Sequence, residues 1–256
     1  MEFGIIGLGR MGGGLAIQAR EKGMTVHGYD LFPPYQEVVD SGVVLHKTLP
    51  EMIEGMATPR IIFLYIHAGS LIDETIAKVE PLLAPGDIIV DGGNSYWGDS
   101  LRRADILRAK GFHLVDLGTS GGVSGALHGA CFMVGGDPAP LDLLEPILLQ
   151  LAAPGGYVRA GGPGAGHFVK LVHNGIEFGM LQAIGEGVEL LARFDQKLDL
   201  PAVLSCWQHG SVVRSWLMDL MHDGLVAQEK GLEGVPPYIE DTGEVNWLVA
   251  DAMRME

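Results

Sequence analysis

Lys170, His173, Asn174 and Glu177 fall within eight consecutive positions, in the stretch KLVHNGIEFG (170–179). They supply an amine, an imidazole, an amide and a carboxylate, side-chain types that bind substrates and move protons. Apolar residues interrupt them at helical spacing. Lys170, Asn174 and Glu177 stand at i, i+4 and i+7, so a helix sets them on one face with His173 adjacent. The pattern alone leaves two readings open: a chemical site, or a solvated polar face with a Lys–Glu pair. Two features favour the first. The stretch follows a glycine-rich segment, AGGPGAG (160–166), and short amide and imidazole side chains add little to a solvated face.

The elements that must position these groups are readable from hydrophobic pattern. From His167 to about Phe194 there is no proline, and Phe168, Leu171, Val172, Ile176, Leu181, Ile184, Val188 and Leu191 recur at three- and four-residue steps. This predicts one long helix. The segment 201–222 reads as more helix. Upstream, strand-like runs at 2–6, 24–30, 60–66, 87–93, 112–118 and 131–136 alternate with helical stretches at about 11–23, 70–82, 96–110 and 140–152. RIIFLYI and DIIVDGG are continuous apolar runs, as in strands buried on both faces of a parallel sheet. The expected fold class is α/β: a doubly wound, Rossmann-type parallel sheet over 1–162, followed by a smaller all-helical domain over 163–256.

The first strand runs into Gly7-Leu8-Gly9-Arg10-Met11-Gly12, a G-x-G-x-x-G that opens a helix. The first glycine permits a tight turn, the second lets backbone approach a pyrophosphate, and the third lets helix and strand pack closely. The helix N-terminus then offers free N–H groups to phosphates. Asp30 ends the second strand, where a carboxylate accepts hydrogen bonds from an adenosine ribose and repels a 2′-phosphate. That predicts NAD, with NADP possible because Arg10 partly offsets the charge. Asp30 also fits a turn residue before Pro33-Pro34. A second glycine group, Ser120-Gly121-Gly122, can form an anion-binding nest or a plain flexible turn.

Bulk properties narrow the partners. A net charge of −15 with no Lys/Arg-rich stretch excludes a nucleic-acid partner. Cys131 and Cys206 stand in unrelated contexts, so neither a metal nor a disulfide framework is expected. No run reaches the ~20 apolar residues of a membrane span, and the strand-like start lacks a signal peptide's basic region and long apolar core. The expectation is a soluble, cytoplasmic protein.

The set GLGRMG, DGGNS, TSGGVSGA, GAGHFVKLVHNGIEFG and GSVVRSWL, in that order along nearly the whole chain, resembles the decarboxylating 6-phosphogluconate dehydrogenases. It is most similar to their short bacterial type, within the β-hydroxyacid dehydrogenase superfamily. The K-x-x-H-N-G-I-E segment carries most of that likeness. The resemblance implies oxidative decarboxylation of 6-phosphogluconate to ribulose 5-phosphate and CO2, in the pentose phosphate pathway or gluconate utilisation. It implies Lys170 as general base on the 3-hydroxyl, which requires a neutral amine, and Glu177 as the acid that protonates C1 of the enediol. It implies substrate contacts at Asn94, Ser120, Gly121, Gly122, His173 and Asn174, and cofactor contacts at Ile66, His67, Ala68 and Asn94. A homodimer or homotetramer is expected.

The chain departs from the family at Phe178, where a tyrosine usually bonds the substrate phosphate, and at His67, usually proline or lysine. EDTGEVNWLVADAMRME (240–256) resembles the start of the family's S-G-E-G-x-W-T segment, which leads to a helix with a phosphate-gripping arginine. The chain as given is therefore expected to bind NAD normally and 6-phosphogluconate weakly. Arg214 is either a phosphate ligand or a helix-surface residue pairing with Asp219 or Glu229. Two alternative functions remain: a β-hydroxyacid dehydrogenase or imine reductase acting on a small unphosphorylated substrate, and a non-catalytic dinucleotide-binding protein.

Overall fold

A computed structural model describes residues 1–228, 238 and 243–256. The chain divides into two compact units, Met1–Leu171 and Val172–Glu256.

The first unit is built on one eight-stranded sheet. In chain order it runs β1 (Glu2–Ile6), α1 (Arg10–Glu21), β2 (Thr25–Tyr29), α2 (Gln36–Asp40), β3 (Val44–Leu45), α3 (Leu49–Glu54), β4 (Ile61–Leu64) and α4 (Ser70–Val79). It continues through β5 (Ile88–Asp91), α5 (Trp97–Arg108), β6 (His113–Ser120), α6 (Gly122–His128), β7 (Ala130–Gly135), α7 (Pro138–Leu151) and β8 (Ala152–Gly161). The sheet order is β3-β2-β1-β4-β5-β6-β7-β8, and the order reverses between β1 and β4.

The apolar runs explain the layering, because successive residues of a strand point to opposite faces. In β4, Ile61 and Phe63 enter one core with Phe3, Ile5, Val90 and Val115, covered by Leu15 and Ala19 of α1 and Leu144 and Leu148 of α7. Ile62 and Leu64 enter the other, with Ile6 and Ile89, covered by Ile53 of α3, Ile72 and Ile76 of α4, and Leu107 of α5. Helices on both faces are what continuous apolar strands require.

The expected parallel sheet holds through its first six strands. β6 and β7 pair antiparallel, and β8 follows β7 in parallel. The reason is the length of the link. Only residues 121–129 join β6 to β7, and a parallel crossover needs a dozen or more. β8, with sequence AAPGGYVRAG, escapes pattern reading because its Pro and Gly break the alternation. Such residues are tolerated at a sheet edge, where β8 lies.

α8 (Ala165–Ala192) runs for 28 residues, so its first turns belong to the first unit and the remainder to the second. The second unit adds α9 (Leu200–Gln208), α10 (Trp216–Ala227) and α11 (Glu244–Met255). Its core is Val188, Leu204, Met218 and Leu225, flanked by Ile184, Leu200, Trp207 and Met221. Where continuous helix was expected over 201–222, His209–Ser215 break it, and Ser215 caps α10 by accepting from Met218 N–H at 3.2 Å. Arg214 therefore sits exposed in a turn and not on a helix surface; Glu229 and residues 240–242 of the C-terminal motif lie outside the described residues.

Candidate active site

The glycine loop joins β1 to α1. Gly7 has φ +97°, and its N–H donates to the Tyr29 carbonyl at 2.9 Å. A β-carbon at Gly7 would overlap the Tyr65 carbonyl, and one at Gly12 would overlap the Gly7 carbonyl. At Gly9 a β-carbon would meet nothing within 4 Å, so the backbone there is open to a ligand. Arg10, exposed, and Met11 begin α1, whose first turn carries no acidic residue. An unopposed helix N-terminus beside open backbone suits a pyrophosphate.

Asp30 follows β2 directly. Its Oδ2 accepts from Leu8 N–H at 2.6 Å and its Oδ1 from Phe32 N–H at 2.9 Å. The carboxylate thus braces the glycine loop, a role its spacing does not reveal. Each oxygen keeps a second lone pair for a ribose hydroxyl.

Beyond β4, Tyr65 donates its N–H to the Ile6 carbonyl at 2.9 Å, and its ring covers Gly92. Its phenol lies 3.0 Å from Thr119 Oγ1 in β6, and burial pushes the phenol's pKa up. Ile66, exposed His67 and Ala68 come next, and exposed Asn94 follows β5. The loop 7–12, Asp30, residues 66–68 and Asn94 therefore gather at the carboxyl ends of β1, β2, β4 and β5, around the point where strand order reverses. Ligands of open α/β sheets bind there.

Beneath these loops lie residues that pattern reading did not single out. Arg103 of α5 is 3% exposed, and its Nη1 reaches the fully buried Asp91 at 3.4 Å. An acid closing the apolar run DIIVDGG is the one sequence signal for it.

β6 ends at Ser120, and α6 opens at Gly122 after Gly121 with φ +108°. The expected nest region is thus the start of a short helix, whose Gly125 N–H donates to the Gly121 carbonyl at 2.8 Å. Two residues before Ser120, a β-carbon on Gly118 would stand 2.6 Å from Lys170 Cβ. The first two carbons of the Lys170 side chain therefore pack against β6 at Gly118. The first turn of its helix is fixed by Asp116, 1% exposed, which accepts from Gly164 N–H at 2.7 Å and His167 N–H at 2.9 Å. His167 Nδ1 lies 2.7 Å from Ser100 Oγ, and Trp97 meets Phe168 edge-on with centroids 5.8 Å apart.

The same helix continues into the second unit. There Asn174 is buried, and His173 Nδ1 lies 3.3 Å from Asn174 Oδ1 and 3.7 Å from Glu177 Oε2. His173 and Glu177 keep 38% and 35% of their side chains exposed, which leaves both reachable. The helical spacing of Lys170, Asn174 and Glu177 is thus real, on one unbroken helix. Among the described residues no cluster of three or more His, Cys, Asp or Glu can hold a metal, and no helix is long and apolar enough to cross a membrane.

Residues 2–162 match the model of the NAD binding domain of 6-phosphogluconate dehydrogenase, and residues 166–255 match that of the 6-phosphogluconate dehydrogenase C-terminal domain. The Bacillus subtilis protein YqeC, provisionally named a 6-phosphogluconate dehydrogenase, is 40% identical over 260 residues, covering 100% of this chain and 86% of its own length. The NAD(+)-dependent, decarboxylating 6-phosphogluconate dehydrogenase of Haloferax volcanii is 36% identical over 258 residues, covering 100% of this chain and 85% of its own. Among solved structures, Plasmodium falciparum 6-phosphogluconate dehydrogenase, described in apo form and with NADP+ and 6-phosphogluconate, superposes with a TM-score of 0.86 at 28% identity. That match covers 100% of this chain and 58% of the other. With both halves matched in order and relatives at this identity aligned over all of this chain, the chain belongs to the 6-phosphogluconate dehydrogenase family.

Proposed function

We propose that the protein oxidatively decarboxylates 6-phosphogluconate to ribulose 5-phosphate and CO2, with NAD as the preferred acceptor and Lys170 and Glu177 as the catalytic pair. The observation that carries the reading is Lys170. Its stem is pressed onto β6 at Gly118, two residues from Ser120, on a helix whose first turn Asp116 pins and whose next two turns bear His173, Asn174 and Glu177. Residues 1–162 would bind the cofactor, and 163–256 would bind substrate and pair subunits into a dimer or tetramer. The setting is proposed to be cytoplasmic.

The cofactor fits the residues present. Open backbone at Gly9 and the α1 N-terminus would take the pyrophosphate, Asp30 the ribose, and Ile66, His67, Ala68 and Asn94 the nicotinamide side. When bound, the nicotinamide supplies a hydride acceptor for C3. Neutral Lys170 takes the 3-hydroxyl proton as the C3–H bond breaks and C3 becomes a ketone. The ammonium so formed hydrogen-bonds the new ketone and stabilises the charge that builds on its oxygen when the C1 carboxylate leaves as CO2. Lys170 returns its proton to that oxygen to give the enediol, and Glu177 then protonates the carbon that lost CO2, C1 of the ribulose 5-phosphate product, while Lys170 takes the enediol proton back. Asn94, Ser120, Gly121, Gly122, His173 and Asn174 would hold the sugar acid. A second acid on the Lys170 helix supports decarboxylation, since simple oxidation needs none.

A substrate panel tests this. With NAD, 6-phosphogluconate should yield NADH and CO2 in equal amounts, while 3-hydroxyisobutyrate and serine yield neither. Turnover of an unphosphorylated acid in its place would overturn the substrate reading. NAD binding without turnover of any of them would mark a non-catalytic binder.

A further inference from the structure

We propose that Arg103 is a positioning residue that joins the two cofactor-side loops and holds Asn94 in register. The inference rests on the function proposed above and adds a residue to it.

The guanidinium makes four bonds to three places. Nε and Nη2 reach the two oxygens of Asp73 in α4 at 3.0 Å each. Nη2 also donates to the Gly69 carbonyl at 3.0 Å, and Nη1 donates to Asp91 Oδ2 at 3.4 Å. Gly69 directly follows residues 66–68. Asp91 ends β5, and its other oxygen accepts from Gly93 N–H at 3.2 Å, one residue before Asn94. The loops also touch each other: a β-carbon on Gly93 would stand 2.9 Å from the Ile66 carbonyl. One planar, five-donor side chain therefore sets where the loop of Ile66–Ala68 ends and where the loop of Asn94 begins. No single-point cation spans that fork.

A purely structural ion pair would not need this arrangement. Asp73 holds a second partner, Arg102, whose Nη2 lies 3.0 Å from each of its oxygens. Loss of Arg103 thus leaves Asp73 paired. The Gly69 carbonyl keeps Ile72 N–H at 3.2 Å, whereas Asp91 is fully buried and Arg103 is the cation at its Oδ2, so the bond to the Asn94 loop is the one whose loss leaves a buried charge uncompensated.

The test uses the full chain and the variants Arg103→Lys, Asn94→Ala and the double mutant, each checked for folding by circular dichroism and thermal melting. Arg103→Lys keeps a charge beside Asp91 and loses the fork. It should lower kcat/KM for 6-phosphogluconate by about tenfold and weaken NAD binding in calorimetry, because residues in one network couple measurably. In the Asn94→Ala background the same substitution should cost less than about twofold. Equal losses with and without Asn94 would make Arg103 a structural brace and overturn the proposal. If Arg103→Lys does not fold, Asp73→Asn, which removes the bidentate partner at a half-exposed position, takes its place in the same cycle under the same criteria. If the unmodified protein does not turn over 6-phosphogluconate, the function is wrong, and the NAD affinity cycle still decides the role of Arg103.

Discussion

At the residue scale, the proposed chemistry rests on one amine and one carboxylate, Lys170 and Glu177. Lys170→Met should cut turnover by ~10²–10⁴-fold, the usual cost of losing a general base, and leave calorimetric NAD affinity nearly unchanged. Glu177→Gln should slow NADH-linked overall turnover without weakening NAD. A subtler variant probes placement. Gly118→Ala puts a methyl 2.6 Å from Lys170 Cβ, so the lysine must shift. Overpacking of this kind costs ~1–3 kcal/mol, and a displaced base should lower kcat at least about tenfold. Unchanged kcat would show that the Lys170 stem is free to adjust. Asp30 predicts a compound effect. Asp30→Ser should raise NADP use relative to NAD, as charge repulsion vanishes. It should also weaken both cofactors, because the bond to Leu8 N–H is lost. A cleaner gain for NADP with no loss for NAD would separate Asp30 from the glycine loop.

At the scale of elements, what was legible in the sequence was whatever depends on local period. The glycine turn, the buried strands and the long helix, expected over 167–194 and found at Ala165–Ala192, each announce themselves through spacing. The anchor of α8 does not: Asp116 caps it from 48 and 51 residues away, and Arg103 meets Asp73 across 30. Such partners meet only once the sheet is assembled. Acids set in apolar strands, as in LVDLG and IIVDGG, are their only trace. The reversal of β7 was hidden in a nine-residue link whose glycines look like a loop. The cap itself is testable. Asp116→Asn leaves one oxygen and sets an NH2 group against an N–H donor. At ~1.5–3 kcal/mol for a hydrogen bond to a charged group, and about 2–4 °C per kcal/mol in a chain of this size, Tm should fall by roughly 5–10 °C. An unchanged melt would mean that Ser100, His167 and the Trp97–Phe168 contact hold the helix start without it.

At the scale of the whole molecule, a pH response follows from His27 of β2 and His46, just past the end of β3, both far in sequence from Lys170. His27 lies between Glu2 at 2.7 Å and His46 at 2.9 Å. Burial, and then the neighbouring His27, hold His46 below its ordinary value of 6.5, with Glu51 opposing. As pH falls below 6.5 the unfolded chain takes up this proton first, so stability drops until the folded value is reached and rises with pH across that window. Urea midpoints should therefore decline from pH 7 to pH 5, and His46→Gln should flatten part of the decline; parallel profiles would remove His46 from the response. The central claim is that Lys170 starts a coupled oxidation and decarboxylation of 6-phosphogluconate. The most direct measurement follows NADH and CO2 together, from 6-phosphogluconate and NAD, with the unmodified protein and with Lys170→Met matched for NAD binding. The account predicts equal, simultaneous release of both from the first and loss of both from the second. Substantial NADH or CO2 from Lys170→Met would contradict it.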